Sequence, residues 1–394
     1  MPNRKIKVAI CGGGVGGLTL AVALSHSPNV EVDVYEAAQE FAEVGAGIEV
    51  AFHLRKGDEP RGLTFQKLIT PGGLISFHRP QFQAVLLRHL SSSCNTYTSK
   101  RLVSYTQDTP DTLSANASIS PIRLYFRDGT TATCDLLIGA DGVKSTVRAT
   151  MLNHKAADLR AMGKVAEADE ALAAVQPKWS GTMAYRAVIP ADMLRSKHPR
   201  HRVLTTPHIY LGQNSEMTVY PISRGTLINF AAFRSRYDLE NSTLDGAWVQ
   251  DVRREELLQD FDRWEPEVQA LLDAHAMMPY QGAGAGQAIE DAFLLATLLS
   301  HPDTSLHALS RVCSVYDTVR RPFAQRVAEM SRENGILYTL NYPGLTFEEG
   351  RNKEGDLEKL REVYSRIRMN WEWAWETSVD GDVQGAIAML EGRS

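Results

Sequence analysis

Apolar runs and helix-length segments alternate at the start of the chain. Residues 7–11 form a short apolar run with β-branched members, which is typical of a strand buried on both faces. Residues 18–24 are apolar over a helical length, and residues 30–35 again have a strand pattern. This order predicts a β-α-β unit with parallel strands.

Further strands and helices are predicted downstream. Asp128-Gly129, between strand-like residues 124–126 and 130–133, predicts a hairpin, and residues 134–139 follow as one buried strand. Residues 51–76 are predicted to form loops and short strands. An antiparallel sheet is predicted from residues 182–189, 203–211, 217–222 and 226–233, with a short hairpin loop at 223–225. Helices are predicted at 83–90, 154–176, 288–299, 309–330 (a long repeat containing Pro322) and 357–367.

Glycines follow the first strand at the spacing of a dinucleotide-binding turn. Gly12, Gly14 and Gly17 satisfy G-x-G-x-x-G, which permits a tight turn, close approach of the backbone to a pyrophosphate, and close helix–strand packing. Glu36 ends the second strand, about 20 residues downstream, where an acid accepts hydrogen bonds from ribose hydroxyls. The acid favours FAD or NAD over NADP, and the motif alone does not choose between FAD and NAD.

Other segments predict contacts with a bound group. Gly47 lies in a glycine-rich stretch that suggests a second close approach of the backbone. Arg79 precedes a helix, where either a bound phosphate or solvent would offset its unfavourable place in the helix dipole. Asp141 follows a buried strand, at the sheet edge where ligands bind in α/β proteins. A glycine-rich loop at 279–286 offers backbone N–H groups to an anion.

Polar side chains lie within the predicted antiparallel sheet. Tyr185, Arg186, Tyr210 and Tyr220 together suit a site for a small acidic or phenolic compound, although each alone is more often structural. We assign Arg186, Tyr210 and Tyr220 to the substrate and catalytic site.

Composition narrows the class of protein. The 394 residues carry a net charge of −5, which gives no electrostatic reason to expect nucleic acid or a membrane surface as a partner. The four cysteines lack metal-ligand or C-x-x-C spacing, so we expect reduced core thiols, no metal site and a cytoplasmic protein. No apolar run is long enough to span a membrane.

Three stretches together resemble the single-component FAD-dependent aromatic monooxygenases, and among them the fungal salicylate-hydroxylase-like enzymes. They are the glycine motif with Glu36, residues 134–148 with the Asp-Gly pair, and residues 275–292. The resemblance implies FAD as cofactor, NAD(P)H and O2 as co-substrates, and hydroxylation of a small aromatic molecule by a monomer or homodimer. The residues it assigns to FAD beyond the glycine motif are Glu36, Gly47, Arg79, Asp141, Asp273, Pro279, Gly282, Ala283 and Gly284.

The chain departs from the family pattern in two places. The helix that normally follows residues 45–48 is missing, and so is the strand that normally precedes the third motif. Asp273 stands one residue closer to His275 than the family's aspartate does. These deletions leave open an alternative, a truncated, non-catalytic or FAD-impaired relative. An NAD-dependent dehydrogenase is a weaker third hypothesis, since no metal site or Tyr-x-x-x-Lys pair is present.

We therefore predict an α/β fold, with a Rossmann-like FAD-binding domain on a parallel sheet, an antiparallel-sheet substrate domain and C-terminal helices. The predicted boundaries are 1–178 and 256–330 for the FAD-binding domain, 179–255 for the substrate domain and 331–394 for the C-terminal helices.

Overall fold

The computed structural model describes residues 4–39, 51–69, 79–107, 121–244, 248, 254–272, 283–347 and 354–393. The strands are β1 (Ile6–Cys11), β2 (Val30–Tyr35), β3 (Ala51–Lys56), β4 (Leu63–Ile69), β5 (Cys94–Tyr97), β6 (Leu102–Gln107), β7 (Ile122–Phe126), β8 (Thr131–Cys134), β9 (Leu136–Gly139), β10 (Thr182–Pro190), β11 (His208–Gly212), β12 (Ser215–Ile222) and β13 (Leu227–Ser235). The helices are α1 (Val15–Ser25), α2 (Arg79–His89), α3 (Thr146–Ala161), α4 (Val165–Ala173), α5 (Ala191–Lys197), α6 (Arg254–Asp260), α7 (Pro266–Leu272), α8 (Ala283–Ser300), α9 (Leu309–Tyr338), α10 (Glu354–Trp371), α11 (Trp373–Glu376) and α12 (Val379–Glu391).

The N-terminal β-α-β unit builds a parallel sheet of order β5–β2–β1–β9. The sequence of β1 is apolar because both faces of the strand are buried. Ile6, Val8 and Ile10 pack in a core with α1, α8, α9 and α12. Ala9 and Cys11 pack instead against the three-stranded sheet β6–β7–β8. The prediction of a Rossmann-like parallel sheet is confirmed.

The strand predicted at residues 134–139 is interrupted at Asp135, which corrects that prediction. Cys134 ends β8 in the three-stranded sheet, and β9 starts at Leu136 in the parallel sheet. The Asp135 carboxylate lies between them and accepts hydrogen bonds from the Lys7 N–H at 2.8 Å and the Arg4 guanidinium at 2.6 Å. A buried carboxylate with two donors is a reason for the chain to change sheets at this residue.

Strand β9 is an edge strand within the part of the chain that the structure describes. It pairs with β1 alone, and its residues are half-buried or exposed. The described residues supply no further strand beside β9.

The second sheet has six strands in the order β10–β13–β12–β11–β3–β4. The strands from β10 to β11 are antiparallel neighbours as predicted, whereas β3 joins β11 in parallel and β4 extends the edge. The strand predicted at 203–211 begins later, at His208. The preceding Arg202–Leu204 forms a 3-10 turn, which the His201 side chain caps by accepting from the Val203 N–H.

The two faces of this sheet are packed differently. One, which we call the core face, packs Tyr185, Met217 and Phe230 against α5, α6 and α7. The other, which we call the site face, carries Arg186, Thr218, Tyr220, Asn229 and Ala231. Strand register places Arg186 opposite Ala231, which is also opposite Thr218, and places Tyr220 opposite Asn229. Farther along the site face, Leu54, Ile209 and Leu211 pack against α10 and the end of α9.

The helices lie where the repeats predict them, although several of their bounds differ. The segment predicted at 154–176 is part of two helices, α3 and α4, separated by Gly163 at a φ of +76°. The helix predicted at 288–299 starts five residues earlier, at Ala283. The long helix α9 continues through Pro322. None of the described helices has the length and apolarity needed to cross a bilayer.

Candidate cofactor and substrate site

The three glycines of the G-x-G-x-x-G motif differ in whether the fold would tolerate a side chain in their place. Gly12 has a φ of +112°, and a Cβ there would lie 2.2 Å from the carbonyl oxygen of Ala140. A Cβ at Gly17 would lie 2.0 Å from the carbonyl oxygen of Gly12. A Cβ at Gly14 would meet nothing within 4 Å. Gly12 and Gly17 are thus required by the fold, whereas Gly14 borders open space.

The open space at Gly14 lies at the start of α1. Gly14 is the N-cap of that helix, no side chain caps it, and no acidic residue lies in the first turn. Uncapped N–H groups at a helix N-terminus bind anions, since they carry the positive end of the helix dipole. The geometry fits a pyrophosphate at this point.

Glu36 reaches back to the glycine loop from the end of β2. Its Oε2 accepts the Gly13 N–H at 2.6 Å, and its Oε1 accepts the Ala38 N–H at 2.7 Å. The carboxylate is therefore fixed beside the turn, where the sequence motif places the ribose of a dinucleotide.

Asp141 caps the helix that follows it. Its Oδ1 accepts from the Ser145 hydroxyl at 2.5 Å, and its Oδ2 accepts from the Thr146 N–H at 2.7 Å. The adjacent Gly142 has a φ of +77°, and a Cβ there would meet no atom within 4 Å. Asp141 thus shapes the loop next to Gly12, while its role as a cofactor ligand stays a prediction.

The third motif meets the first through helix packing. A Cβ at Gly16 on α1 would lie 3.0 Å from the Cβ of Ala288 on α8. Ala292, Leu295 and Leu299, on the predicted inner face of α8, are buried against α1 and β1. The start of α8, the glycine loop and Ala140 therefore lie in one region.

Only some of the remaining predicted cofactor residues lie in the part of the chain that the structure describes. Ala283 and Gly284 lie in the first turn of α8, and Arg79 is the first residue of α2. The predictions for Gly47, Asp273, Pro279 and Gly282 lie outside the described residues.

Gln83 is a site residue that reasoning from the sequence missed. It is 2% exposed on α2, and its Nε2 donates to the Gly13 carbonyl oxygen at 3.0 Å. Its Oε1 has no hydrogen-bond partner among the described residues. The signal that could have found it was a glutamine four positions after Arg79, one helical turn away and therefore on the same side of α2.

Arg186 and Tyr220 are brought together on the site face. Arg186 is 8% exposed, and the one hydrogen bond of its guanidinium within the described residues goes to Asn229 Oδ1 at 3.3 Å. Burial lowers the pKa of Arg186. Burial raises the pKa of Tyr220, and the charge of Arg186 partly offsets this. The pair is therefore a buried cation beside a protonated phenol.

Tyr210 lies on the other side of the sheet. It is opposite Met217 on the core face, is completely buried, and stacks on His208 with ring centroids 5.5 Å apart. The structure therefore does not bring Tyr210 to Arg186 and Tyr220, and it does not support the expected grouping of the three residues in one site.

Curated relatives match the chain over nearly its whole length. An FAD-dependent monooxygenase of Strobilurus tenacellus is 30% identical over 99% of both chains. A salicylate hydroxylase of Pseudomonas putida is 30% identical over 99% of this chain and 97% of the relative. The first alignment extends over 476 positions, more than the 394 residues of this chain, so this chain lacks segments that the relative has. No protein-family model matches the chain.

Solved structures of similar proteins share the fold. A salicylate hydroxylase in complex with its substrate superposes with a TM-score of 0.73 and 27% identity, covering 97% of this chain and 98% of that one. The superposition includes both the parallel-sheet and the antiparallel-sheet parts, since it covers almost every residue.

Proposed function

The chain belongs to the family of FAD-dependent monooxygenases that contains salicylate hydroxylase, and from that premise we propose that it hydroxylates a small aromatic carboxylate with NAD(P)H and O2. When bound, FAD would supply the redox chemistry by which electrons from NAD(P)H reduce O2, so that one oxygen atom enters the ring and the other leaves as water. The chain's own residues bind, orient and shield the reactants.

The observation that carries this proposal is the buried guanidinium of Arg186. A buried charge without a counter-ion is unfavourable, and no described carboxylate pairs with Arg186. A substrate carboxylate would supply the missing anion, because a guanidinium matches it with two parallel hydrogen bonds.

The neighbours of Arg186 would orient the aromatic ring. Tyr220 offers a protonated hydroxyl group. Its ring packs edge-on against Phe52, with the ring centroids 5.7 Å apart. Asn229 lies opposite Tyr220 and offers an amide. We assign carboxylate binding to Arg186 and hydrogen bonding to a ring hydroxyl to Tyr220. Tyr210 has no place in this assignment, since it lies on the core face.

The described residues fit FAD at the glycine loop. The open space at Gly14 and the uncapped start of α1 suit the pyrophosphate. Glu36 suits the ribose, and the buried Oε1 of Gln83, which has no partner among the described residues, suits a hydroxyl donor of the cofactor. We propose these residues, with Arg79, Asp141 and the first turn of α8, as the FAD site; Gly47, Asp273, Pro279 and Gly282 remain predicted members of it.

The proposal is tested by NADH and NADPH oxidation in the presence of salicylate, with the hydroxylated product identified. The Arg186→Met variant should bind FAD normally but need roughly 100-fold more salicylate for half-maximal rate, since a charge-assisted bidentate pair is lost. The matched control is Arg234→Met, because Arg234 lies on the core face, near Asp260 at 3.8 Å. Equal effects of both substitutions, or no effect of either, would refute the role of Arg186.

The alternative of a non-catalytic relative is not favoured, since the similarity to monooxygenases extends over 99% of the chain. A cytoplasmic location, a monomer or homodimer, and the four predicted domain segments stay predictions.

A further inference from the structure

A cavity of about 660 Å³ lies away from the proposed substrate site. We call it the histidine–arginine pocket, after its lining residues His53, Arg55, Arg200, His201, Arg202 and His208. Its volume is within the range that holds a small organic ligand.

The histidine–arginine pocket is on the opposite side of the sheet from Arg186. His208 is opposite both His53 and Val219 in the strand register. Val219 belongs to the core face, whereas Arg186 belongs to the site face. A ligand in this pocket is therefore separated from the substrate site by the sheet itself.

The charges of the pocket favour an anion. Among the described residues that line it, none is acidic. Arg55 forms a bidentate ion pair with Glu265, which balances its charge. The Nε of Arg202 lies 3.3 Å from Oε1 of Glu267. Arg200 is exposed and makes no ion pair with a described residue. Arg200 and the outer guanidinium nitrogens of Arg202 are thus available to a carboxylate.

The histidines contribute neutral rings. Burial lowers the pKa of His208 to about 4 and also lowers the pKa values of His53 and His201, and the positive charge of Arg202 lowers all three further. His53 and His208 meet edge to face, with ring centroids 5.2 Å apart. Neutral imidazoles of this kind pack favourably against an aromatic ligand.

One buried acceptor lacks a donor. His208 is 1% exposed, and its Nδ1 lies 2.9 Å from the Thr206 carbonyl oxygen, so Nδ1 carries the proton in the neutral ring. Nε2 then holds a lone pair, and it has no hydrogen-bond partner among the described residues. A ligand with a hydroxyl next to its carboxylate would satisfy this acceptor.

We propose that the histidine–arginine pocket is a second, non-catalytic site for a hydroxylated aromatic carboxylate. The inference rests on the proposed function in one respect, which is that the ligand belongs to the same chemical class as the substrate. The carboxylate lies against Arg200 and Arg202, the ring against the imidazoles, and the hydroxyl towards His208.

Equilibrium dialysis of salicylate against the full-length, FAD-loaded protein tests this inference. The wild type should bind two equivalents, and Arg186→Met and Arg200→Gln one each. In the Arg186→Met/Arg200→Gln double variant, the dissociation constant of each site should rise at least about tenfold. This variant should therefore bind no measurable salicylate at the same concentrations. The matched control combines Arg186→Met with Arg160→Gln, since Arg160 is an exposed arginine on α3 that pairs with Asp169; it should still bind one equivalent.

The outcomes separate the two proposals. Loss of all salicylate binding in Arg186→Met alone, or displacement of the second equivalent by inorganic phosphate, overturns the pocket assignment. Binding in Arg186→Met without salicylate-stimulated NAD(P)H oxidation in the wild type overturns the proposed function and leaves the pocket standing. Arg202→Gln is a second pocket variant, and retention of two equivalents in both it and Arg200→Gln also contradicts the pocket.

Discussion

At the residue scale, the site face carries two ionisable groups whose partners are incomplete among the described residues. Arg186 is buried and has no carboxylate beside it, whereas Glu216 is half-buried and one of its carboxyl oxygens, Oε2, has no donor. Glu216 Oε2 is shielded from solvent and has no hydrogen-bond partner among the described residues. Burial raises the pKa of Glu216 to about 8. Burial also raises the pKa of Tyr338, and a charge on Glu216 would raise it further, so the tyrosine stays protonated.

The raised pKa of Glu216 predicts a loss of stability as the pH rises. The folded protein holds a proton that the unfolded chain releases above its ordinary pKa, so the free energy of unfolding falls between about pH 5 and about pH 8. Glu216→Gln should remove this part of the slope, which amounts to roughly 3 kcal/mol over that interval, as measured by denaturant unfolding at both pH values.

The control for this prediction is Glu358→Gln, since Glu358 is exposed on α10. It should leave the pH dependence of unfolding unchanged. A Glu216→Gln variant with the wild-type slope would show that Glu216 is ionised in the folded protein.

Two properties of single residues could not be predicted from the sequence: the sheet face of each tyrosine and the burial of Gln83. Tyr210 and Tyr220 are both amphipathic residues in neighbouring strands, but a side chain's face depends on the register. The tight connection between β11 and β12 sets that register, and it places the two tyrosines on opposite faces. The spacing of Gln83 from Arg79 was a weak signal on its own, because the contact of Gln83 with Gly13 joins residues 70 positions apart in the sequence.

At the element scale, the glycine motif was predictable because the turn and the helix start that require Gly12 and Gly17 are formed by neighbouring residues. The turn between β1 and α1 needs a left-handed glycine, and helix α1 needs close contact with that turn. Element ends were predicted less well. The strand β11 starts late because its sequence neighbours form a 3-10 turn, and residues 134–139 divide between two sheets because Asp135 binds the start of β1.

Two substitutions in the glycine motif separate its role in FAD binding from its role in folding. Gly14→Ala places a methyl group in open space at a φ of −71°, so the free protein should keep its melting temperature while FAD affinity falls at least about tenfold. Gly17→Ala places a methyl group 2.0 Å from a carbonyl oxygen, so it should destabilise the protein itself.

Thermal unfolding with and without added FAD reads both effects, because a ligand that binds the folded state raises the melting temperature. Wild-type FAD stabilisation in Gly14→Ala would mean that no pyrophosphate lies beside that glycine. A stable Gly17→Ala variant would contradict the packing of α1 on β1.

At the scale of the whole molecule, a chain with deletions keeps the arrangement of its family. The parallel sheet ends at β9 within the described residues, yet α8 still packs on α1 beside the glycine loop. Arg320 on α9 is 2% exposed and contacts Glu290 and Asp291 of α8 and Asp382 of α12. This buried arginine links the three helices α8, α9 and α12.

We expect this chain to bind FAD despite the segments that it lacks, and the visible absorption spectrum of the purified protein is the decisive measurement. After expression or dialysis with excess FAD, followed by removal of free flavin, we predict the flavin absorption bands at one FAD per chain. A folded, colourless protein after the same treatment would contradict it.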